Sequence, residues 1–292
     1  MTLFSGKLQK SILLLHGGAG PVDPKTDQMT QATAELVRIA KSVFKDGGTD
    51  LGIAAVASAL RGMEDTERFN AGYGSALQKD GVARLSAALM SGQDQKFSGV
   101  ISVSQVKHPS DLALELQNRN SRVLTQPGAE WLARELGLPV EDLVSPKRLE
   151  RWYQRKIEKS SDTGHDTVGA VFAADKRLFA GTSTGGRGFE VPGRISDSAT
   201  VAGNYASPFA AISATGIGEE IVDDGLCVRI ETRCRDGLTL KQACEKTLEE
   251  ATQRGRSYGW IAVSSTEWVV AFTTSAMSFV VLNPPESVVL SS

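Results

Sequence analysis

The chain has 292 residues, 41% of them hydrophobic and 23% charged, a globular composition long enough to bury a large core. Lys and Arg total 32 against 34 Asp and Glu, a net charge of −2. With no basic excess to hold a phosphate backbone, nucleic acid is not an expected partner.

In chain order, the apolar run at 11–15 (SILLL) predicts a buried strand that leads into a glycine-rich loop, HGGAGP. This run is too short for the roughly 7–15 apolar residues of a signal peptide. Apolar residues at Ala32, Leu36, Ile39, Ala40, Val43 and Phe44 predict a helix over 29–45, stopped by Gly47 and Gly48. Thr49 is the predicted cap of a second helix over 51–63. A turn-rich segment, FNAGYGS (69–75), follows. Strands are predicted over 83–90 and 99–106, and helices over 111–118 and 129–136. Residues 145–166 carry ten charges in 22 positions and predict a solvated linker. Residues 167–172 and 178–183 read as a hairpin turning at 175–177. Helices over 226–235 and 240–253 precede a second hairpin, 259–263 with 268–272, and a strand over 278–282. Strands at both ends with helices between them predict a layered α/β fold. Two uncharged stretches, 198–218 and 268–285, are too rich in Gly, Ser and Thr to span a bilayer, so no membrane association is expected.

Several chemistries fail on spacing. The G-x-G triplets at Gly72, Gly186 and Gly216 all lack the Gly three residues further on that a dinucleotide loop needs. G-K-[ST] and G-x-S-x-G are absent. The three cysteines, Cys227, Cys234 and Cys244, form no C-x-x-C pair, and three scattered histidines offer no zinc spacing. A reducing cytoplasm is the expected compartment. What remains is a Thr- and Gly-rich set in the second half: GHDTVGAV, GTSTGG, PGRISDS and SATGIGEE. A threonine opening a buried strand after a polar segment can serve as a nucleophile if a base is at hand. Cutting the bond before it would free an α-amine with a pKa near 8, able to take the proton of its own hydroxyl. By itself, such a threonine is explained by strand propensity alone.

HGGAG, FNAGYGS, DTVGAV, TSTGG, PGRISDS and ATGIGE stand in the order and approximate spacing of the plant-type L-asparaginases, or isoaspartyl peptidases. These are N-terminal-nucleophile hydrolases related to the glycosylasparaginases, and the resemblance runs from about Leu13 to Leu282. It implies an αββα sandwich: a single domain, 1–292, that cuts itself into 1–166 and 167–292 and works as a homodimer of cleaved pairs. It implies Thr167 as nucleophile, exposed by cleavage of the Asp166–Thr167 bond. Thr184 would orient the Thr167 amine and hydroxyl, and Asn70 would help position the amine. Arg194 would grip the substrate α-carboxylate and Asp197 its α-ammonium. The Thr215 hydroxyl and the Gly216 N–H would form an oxyanion hole. Gly218 would lie against the bound amino acid. The implied substrate is a β-aspartyl dipeptide or L-asparagine, with no cofactor for catalysis. A structural sodium ion would be held by backbone carbonyls within Met63, Glu64, Thr66, Phe69, Ala71 and Tyr73. The chain departs from the family at Ser86, where Asp is common, and at Phe272-Thr273-Thr274 in place of Phe-Asn-Thr. His165-Asp166 is similar to the glycosylasparaginase branch, whereas HGGAG and Gly186 are similar to the asparaginase branch. Glycosylasparaginase therefore stays open as an alternative, as does an unprocessed homologue of weak or no activity.

Overall fold

The computed structural model describes residues 1–8, 10–20, 27–47, 52–158, 167–283 and 286–288. The first half contains β1 (Thr2–Lys7), β2 (Ser11–Gly20), α1 (Gln28–Gly47), α2 (Ile53–Glu64), β3 (Leu85–Ser91), β4 (Lys96–Val103), α3 (Pro109–Leu116), β5 (Val123–Thr125), α4 (Gly128–Glu135) and α5 (Pro146–Glu158). The second half contains β6 (Val168–Ala174), β7 (Arg177–Thr184), β8 (Asn204–Ala206), β9 (Ala211–Gly216), α6 (Gly218–Asp224), α7 (Leu226–Arg235), α8 (Leu240–Gln253), β10 (Tyr258–Val263), β11 (Glu267–Phe272), β12 (Ala276–Asn283) and β13 (Glu286–Val288).

Two sheets form, in the orders β1-β11-β10-β9-β8 and β13-β12-β2-β6-β7-β3-β4-β5. They face one another through Ile12, Leu14, Val171 and Val281 of the larger sheet and Ile261, Val263, Val270 and Phe272 of the smaller. The outer face of the larger sheet is covered by α1 and α2, where Leu36, Ile39, Val56 and Leu60 pack on Leu13, Leu15, Ala170 and Phe172. The outer face of the smaller is covered by α7 and α8, where Ile230, Ala243 and Leu248 pack on Ile212, Trp260 and Val269. The stack is helix, sheet, sheet, helix, as the resemblance implies. Strands covered on both faces carry near-continuous apolar runs, which is why β6 (VGAVFAA) is buried throughout. Its hairpin to β7 turns at Asp175 and Lys176, both with positive φ, matching the strand twist.

Four expectations need correction. The HGGAG stretch is not a loop; β2 continues to Gly20 because β12 pairs with it, with a bulge between Met277 and Phe279. Thr49 lies outside the described residues, and the N-cap of α2 is Gly52, whose φ is 54°. The predicted linker is helical over its first part, as α5. Ser145 Oγ accepts from the Arg148 N–H at 3.3 Å, an N-cap the charge count concealed. The rest of that segment, with His165 and Asp166, lies outside the described residues. Finally, SATGIGEE, where no element is predicted, forms the end of β9 and the start of α6. Among the described residues no helix is long and apolar enough to cross a membrane.

Candidate active site

Thr167 stands immediately before β6, the strand flanked by β2 and β7 at the middle of the larger sheet, and is 8% exposed. Its Oγ1 donates to Thr184 Oγ1 at 3.2 Å and lies 3.4 Å from Ser198 Oγ. Antiparallel pairing of β6 with β7 brings Thr184 to this end of the sheet. Ser198 arrives from the turn Asp197–Ala199, where Ser196 Oγ donates to Ser198 Oγ at 3.0 Å. Thr182 Oγ1 donates to the Ser198 carbonyl and fixes that turn to β7. The result is a chain of hydroxyls that can hold and relay a proton. Ser198 went unassigned in the sequence, where a serine within PGRISDS has nothing in its spacing to mark it.

Among the described residues, the Asn70 side chain hydrogen-bonds to the backbone of Gly186 and Ala76. Its Nδ2 donates to the Gly186 carbonyl at 2.6 Å, and its Oδ1 accepts from the Ala76 N–H at 2.8 Å. The Gly186 N–H in turn donates to Thr184 Oγ1 at 3.1 Å. Asn70 therefore positions the backbone that positions Thr184. Behind Thr167, His16 of β2 is wholly buried between the sheets, with Nε2 3.0 Å from Ser213 Oγ. Burial drives its pKa down to about 3, opposed by the Thr167 backbone, so the ring is neutral.

A second group of side chains converges on Gly218. A Cβ there would lie 2.7 Å from Asp197 Oδ1 and 2.8 Å from Arg194 Nη2, so both charged ends reach this glycine. Asp197 is 3% exposed. Burial pushes its carboxyl up to about 7, although the Arg194 guanidinium pulls the other way. Its Oδ2 has no hydrogen-bond partner among the described residues. Arg194 is held by Glu219, with Nε to Oε1 at 2.8 Å and Nη2 to Oε2 at 3.1 Å. That pairing holds the Glu219 carboxyl down at about 2. Glu219 is a residue the sequence reading missed; only its place after Gly218 could have drawn attention to it.

Between the two groups runs the end of β9. Thr215 is fully buried, and its Oγ1 also lacks a partner among the described residues. Gly216 has φ 137°, and a Cβ there would meet Tyr258 Cα at 2.4 Å, so no other residue fits this approach to β10. The two positions that depart from the family have defined places. Ser86 pairs with Thr184 across the sheet and accepts from the Ser102 N–H at 3.0 Å. Thr273 Oγ1 accepts from the Tyr258 N–H at 3.1 Å and donates to the Arg256 carbonyl at 2.6 Å, which fixes the start of β10 beside Gly216.

A buried hydroxyl cluster, a hydroxyl without a partner among the described residues, and a cation and a buried carboxyl that meet at one glycine together suit amide hydrolysis of a zwitterionic substrate. Residues 9–288 match the family model described as asparaginase. The chain belongs to the asparaginase family. It is 39% identical over 268 residues to an isoaspartyl peptidase/L-asparaginase of Synechocystis, covering 86% of this chain and 81% of that one. It is 40% identical over 274 residues to one of Nostoc, covering 87% and 85%. A plant-type L-asparaginase of Pyrococcus abyssi is 30% identical over 262 residues, covering 82% and 85%.

Proposed function

We propose that this member of the asparaginase family is a self-processing threonine hydrolase. It cleaves β-aspartyl dipeptides and the side-chain amide of L-asparagine. The observation that carries the reading is the convergence of Arg194 and the buried Asp197 on Gly218, joined to Thr167 through Ser196 and Ser198. Arg194 binds the α-carboxylate and Asp197 the α-ammonium, which aims the β-carbonyl at Thr167. The names of the relatives at 39% and 40% identity favour this branch over glycosylasparaginase.

One hydroxyl serves two reactions. In the uncut chain Thr167 Oγ attacks the Asp166 carbonyl carbon, and the peptide C–N bond breaks as the nitrogen becomes a free amine. Water then hydrolyses the resulting ester. The freed α-amine, with an ordinary pKa near 8, takes the hydroxyl proton in each turnover. Thr167 Oγ attacks the substrate amide carbon, and the developing oxyanion is met by Thr215 Oγ1 and the Gly216 N–H. The amine returns the proton to the departing nitrogen, and water releases L-aspartate from the ester. Thr184 and Ser198 keep the nucleophile aligned, and Asn70 secures Thr184 through Gly186.

The working form is a single domain cut into 1–166 and 167–292, assembled as a dimer of such pairs in a reducing cytoplasm. A structural sodium ion would draw on carbonyl oxygens of the loop after α2, several of which lie close to two glycines. A Cβ on Gly72 would lie 2.2 Å from the Glu64 carbonyl oxygen, and one on Gly74 would lie 2.0 Å and 2.9 Å from those of Phe69 and Thr66. Hard oxygen donors suit such a cation. The Ala71 carbonyl is already engaged by the Gly74 N–H at 3.0 Å. The ion would hold the loop that carries Asn70 and take no part in the chemistry.

Intact mass after long incubation tests the mechanism. Wild type should give two fragments that stay associated under native conditions. Thr167→Ala should give one folded, inactive chain, and Thr167→Ser should cut and react more slowly. An active wild type with its 166–167 bond uncut would falsify the reading, because the proposed base would still be an amide nitrogen.

A further inference from the structure

The first cut poses a problem that later turnovers do not. Until the 166–167 bond breaks, the Thr167 nitrogen is an amide and cannot take a proton, so the Oγ1 proton needs another destination. His16 stands behind Thr167, but burial holds its pKa at about 3 and leaves it a poor acceptor near neutrality. Glu219, held at about 2 by its pairing with Arg194, is weaker still. Thr184 and Ser198, whose hydroxyls lie against Thr167 Oγ1, are not bases themselves. A hydroxyl can nevertheless accept one proton while giving up another.

From Ser198 the row of oxygens continues. Ser198 Oγ lies 3.0 Å from Ser196 Oγ, which lies 3.4 Å from Asp197 Oδ1. Thr167, Ser198, Ser196 and Asp197 are each at most 8% exposed, which limits competition from bulk water. The turn that carries the last three is pinned. The Ser198 N–H donates to Ser196 Oγ at 3.0 Å, Thr200 Oγ1 donates to the Asp197 carbonyl at 2.7 Å, and Thr182 Oγ1 donates to that of Ser198. A hydroxyl proton rotates to either neighbour, so the row can point from Thr167 through Ser198 and Ser196 to the carboxylate. At its end, burial raises the Asp197 carboxyl to about 7, where a base is most effective near neutral pH. Arg194 and Glu219 act on this carboxyl with opposite signs. Cys227 of α7 also senses it, but burial pushes that thiol well above its ordinary value and keeps it neutral.

We propose that Asp197 is the base of the self-cleavage step, reached from Thr167 through Ser198 and Ser196. In the uncut chain the Thr167 Oγ1 proton passes to Ser198 as that of Ser198 passes to Ser196 and that of Ser196 to Asp197 Oδ1. Oγ1 bonds to the Asp166 carbonyl carbon, whose π electrons move onto its oxygen. When they return, the C–N bond breaks and the proton travels back along the row to the departing nitrogen. The products are an ester and a free amine, with no net proton gained or lost. Asp197 is then ionised again, so one carboxylate serves the cut first and the substrate ammonium afterwards. The proposal rests on the hydrolase reading above.

The test follows the cut itself, without substrate. Full-length chain is pulse-labelled in cell-free synthesis, and the appearance of the fragments 1–166 and 167–292 is timed on denaturing gels from pH 5.5 to 9. The wild-type rate should rise with a slope of one through about pH 7 and then level off. Ser196→Ala and Asp197→Asn should each slow the cut by about tenfold or more, and Ser196→Thr, which keeps a hydroxyl, should restore much of the rate. Asp197→Asn should also lose the rise through pH 7. Once cut by long incubation, Ser196→Ala should lose less in kcat on β-aspartyl-leucine than it loses in cutting rate, because the freed amine is then the base. Thermal melting identifies a variant that has lost its fold, and the wild-type pH profile decides without any variant. A profile flat across this range would overturn the proposal. So would wild-type cutting rates in both Ser196→Ala and Asp197→Asn, or equal losses in cutting and in kcat for Ser196→Ala, the mark of mere misalignment. If wild type never cuts, the hydrolase reading falls and takes the proposal with it; a wild type that cuts without these dependences sinks the proposal alone.

Discussion

Protonating Asp197 should switch off substrate capture just below neutral pH. Its carboxyl is pushed by burial from 3.8 to about 7, with Arg194 opposing. At pH 6, one unit lower, only about a tenth of the free enzyme would carry the negative charge that the ammonium needs. The quantity to measure is kcat/KM, which reports on the free enzyme. If Thr167 acts through a freed amine, that amine must also be unprotonated, with an ordinary pKa of about 8. Two protons then have to leave, so log kcat/KM should climb with a slope approaching two on the acid side and level off above about pH 8. His16, driven down to about 3, and Glu219, held at about 2, do not titrate in this window. Asp197→Asn removes one of the two groups. Its acid limb should have a slope of one, and its plateau should fall by about 2–3 kcal/mol, roughly 30- to 150-fold, for the lost charged partner. Hydrolysis of β-aspartyl-leucine from pH 5.5 to 9 by both proteins decides it. A variant that kept the wild-type slope would refute the assignment of Asp197 as the titrating clamp.

The same burial has a consequence for stability. Unfolded Asp197 ionises near 3.8 and folded Asp197 near 7, so the folded chain holds the proton longer. Stability then falls as pH rises between those two values. Asp197→Asn should stabilise the unliganded protein at pH 8 by up to about 4 kcal/mol, three pH units at about 1.36 each, and by far less at pH 4. Melting curves at the two pH values would show this; an equal gain at both would mean that charge burial is not the cause.

Other outcomes follow from the same geometry. Arg194→Lys keeps the charge but loses the paired N–H geometry, so kcat/KM should drop about tenfold to several hundredfold, roughly 1.4–3.5 kcal/mol, with little change in melting temperature. Gly218→Ala places a methyl within 2.8 Å of both Asp197 and Arg194. Aspartate binding by calorimetry should weaken sharply, and unchanged binding would mean that the two side chains do not meet the ligand there. Replacing sodium by choline in the buffer should lower the melting temperature by a few degrees if the Glu64, Thr66 and Phe69 carbonyls hold the ion, and a flat response would remove it.

The elements most legible in the sequence were those with an unbroken period. α7 and α8 begin and end where the spacing predicts, and Thr239 and Gln242 close a capping box on α8. The misreading of α5 has a physical origin. Its inward face carries Trp152 and the stems of arginines rather than aliphatic side chains, so charge density hid a helical pattern that long amphipathic residues can also write. β9 was hidden for a different reason. Apart from Ile212 the strand is alanine, serine, threonine and glycine, and their small size obscures the alternation. At the site, Thr167, Thr184, Arg194, Asp197 and Thr215 were named by the family resemblance and by nothing in their spacing alone. Ser198 and Glu219 became visible only through their contacts, because neither residue type marks a role until its neighbour is known.

Glu219 also explains why the two carboxylates around Arg194 behave so differently. Glu219 is half-exposed and takes the guanidinium in a two-pronged grip, so its charge is stabilised and its pKa falls to about 2. Asp197 is buried, has one oxygen without a partner among the described residues, and is offered by Arg194 only a longer-range attraction that does not offset its desolvation. One guanidinium cannot satisfy both. The protein spends it on the exposed carboxylate, which keeps Arg194 aligned, and leaves the buried one short of a cation. A zwitterion would supply the missing cation: its ammonium would complete Asp197, and its carboxylate would compete with Glu219 for the guanidinium face. A ligand with only a carboxylate would have to displace Glu219 without relieving Asp197. A ligand with only an ammonium would relieve Asp197 and leave the Arg194–Glu219 pair undisturbed. If Arg194 and Asp197 form the proposed clamp, selectivity for an α-amino acid would follow from an ion pair arranged to leave its neighbour unsatisfied.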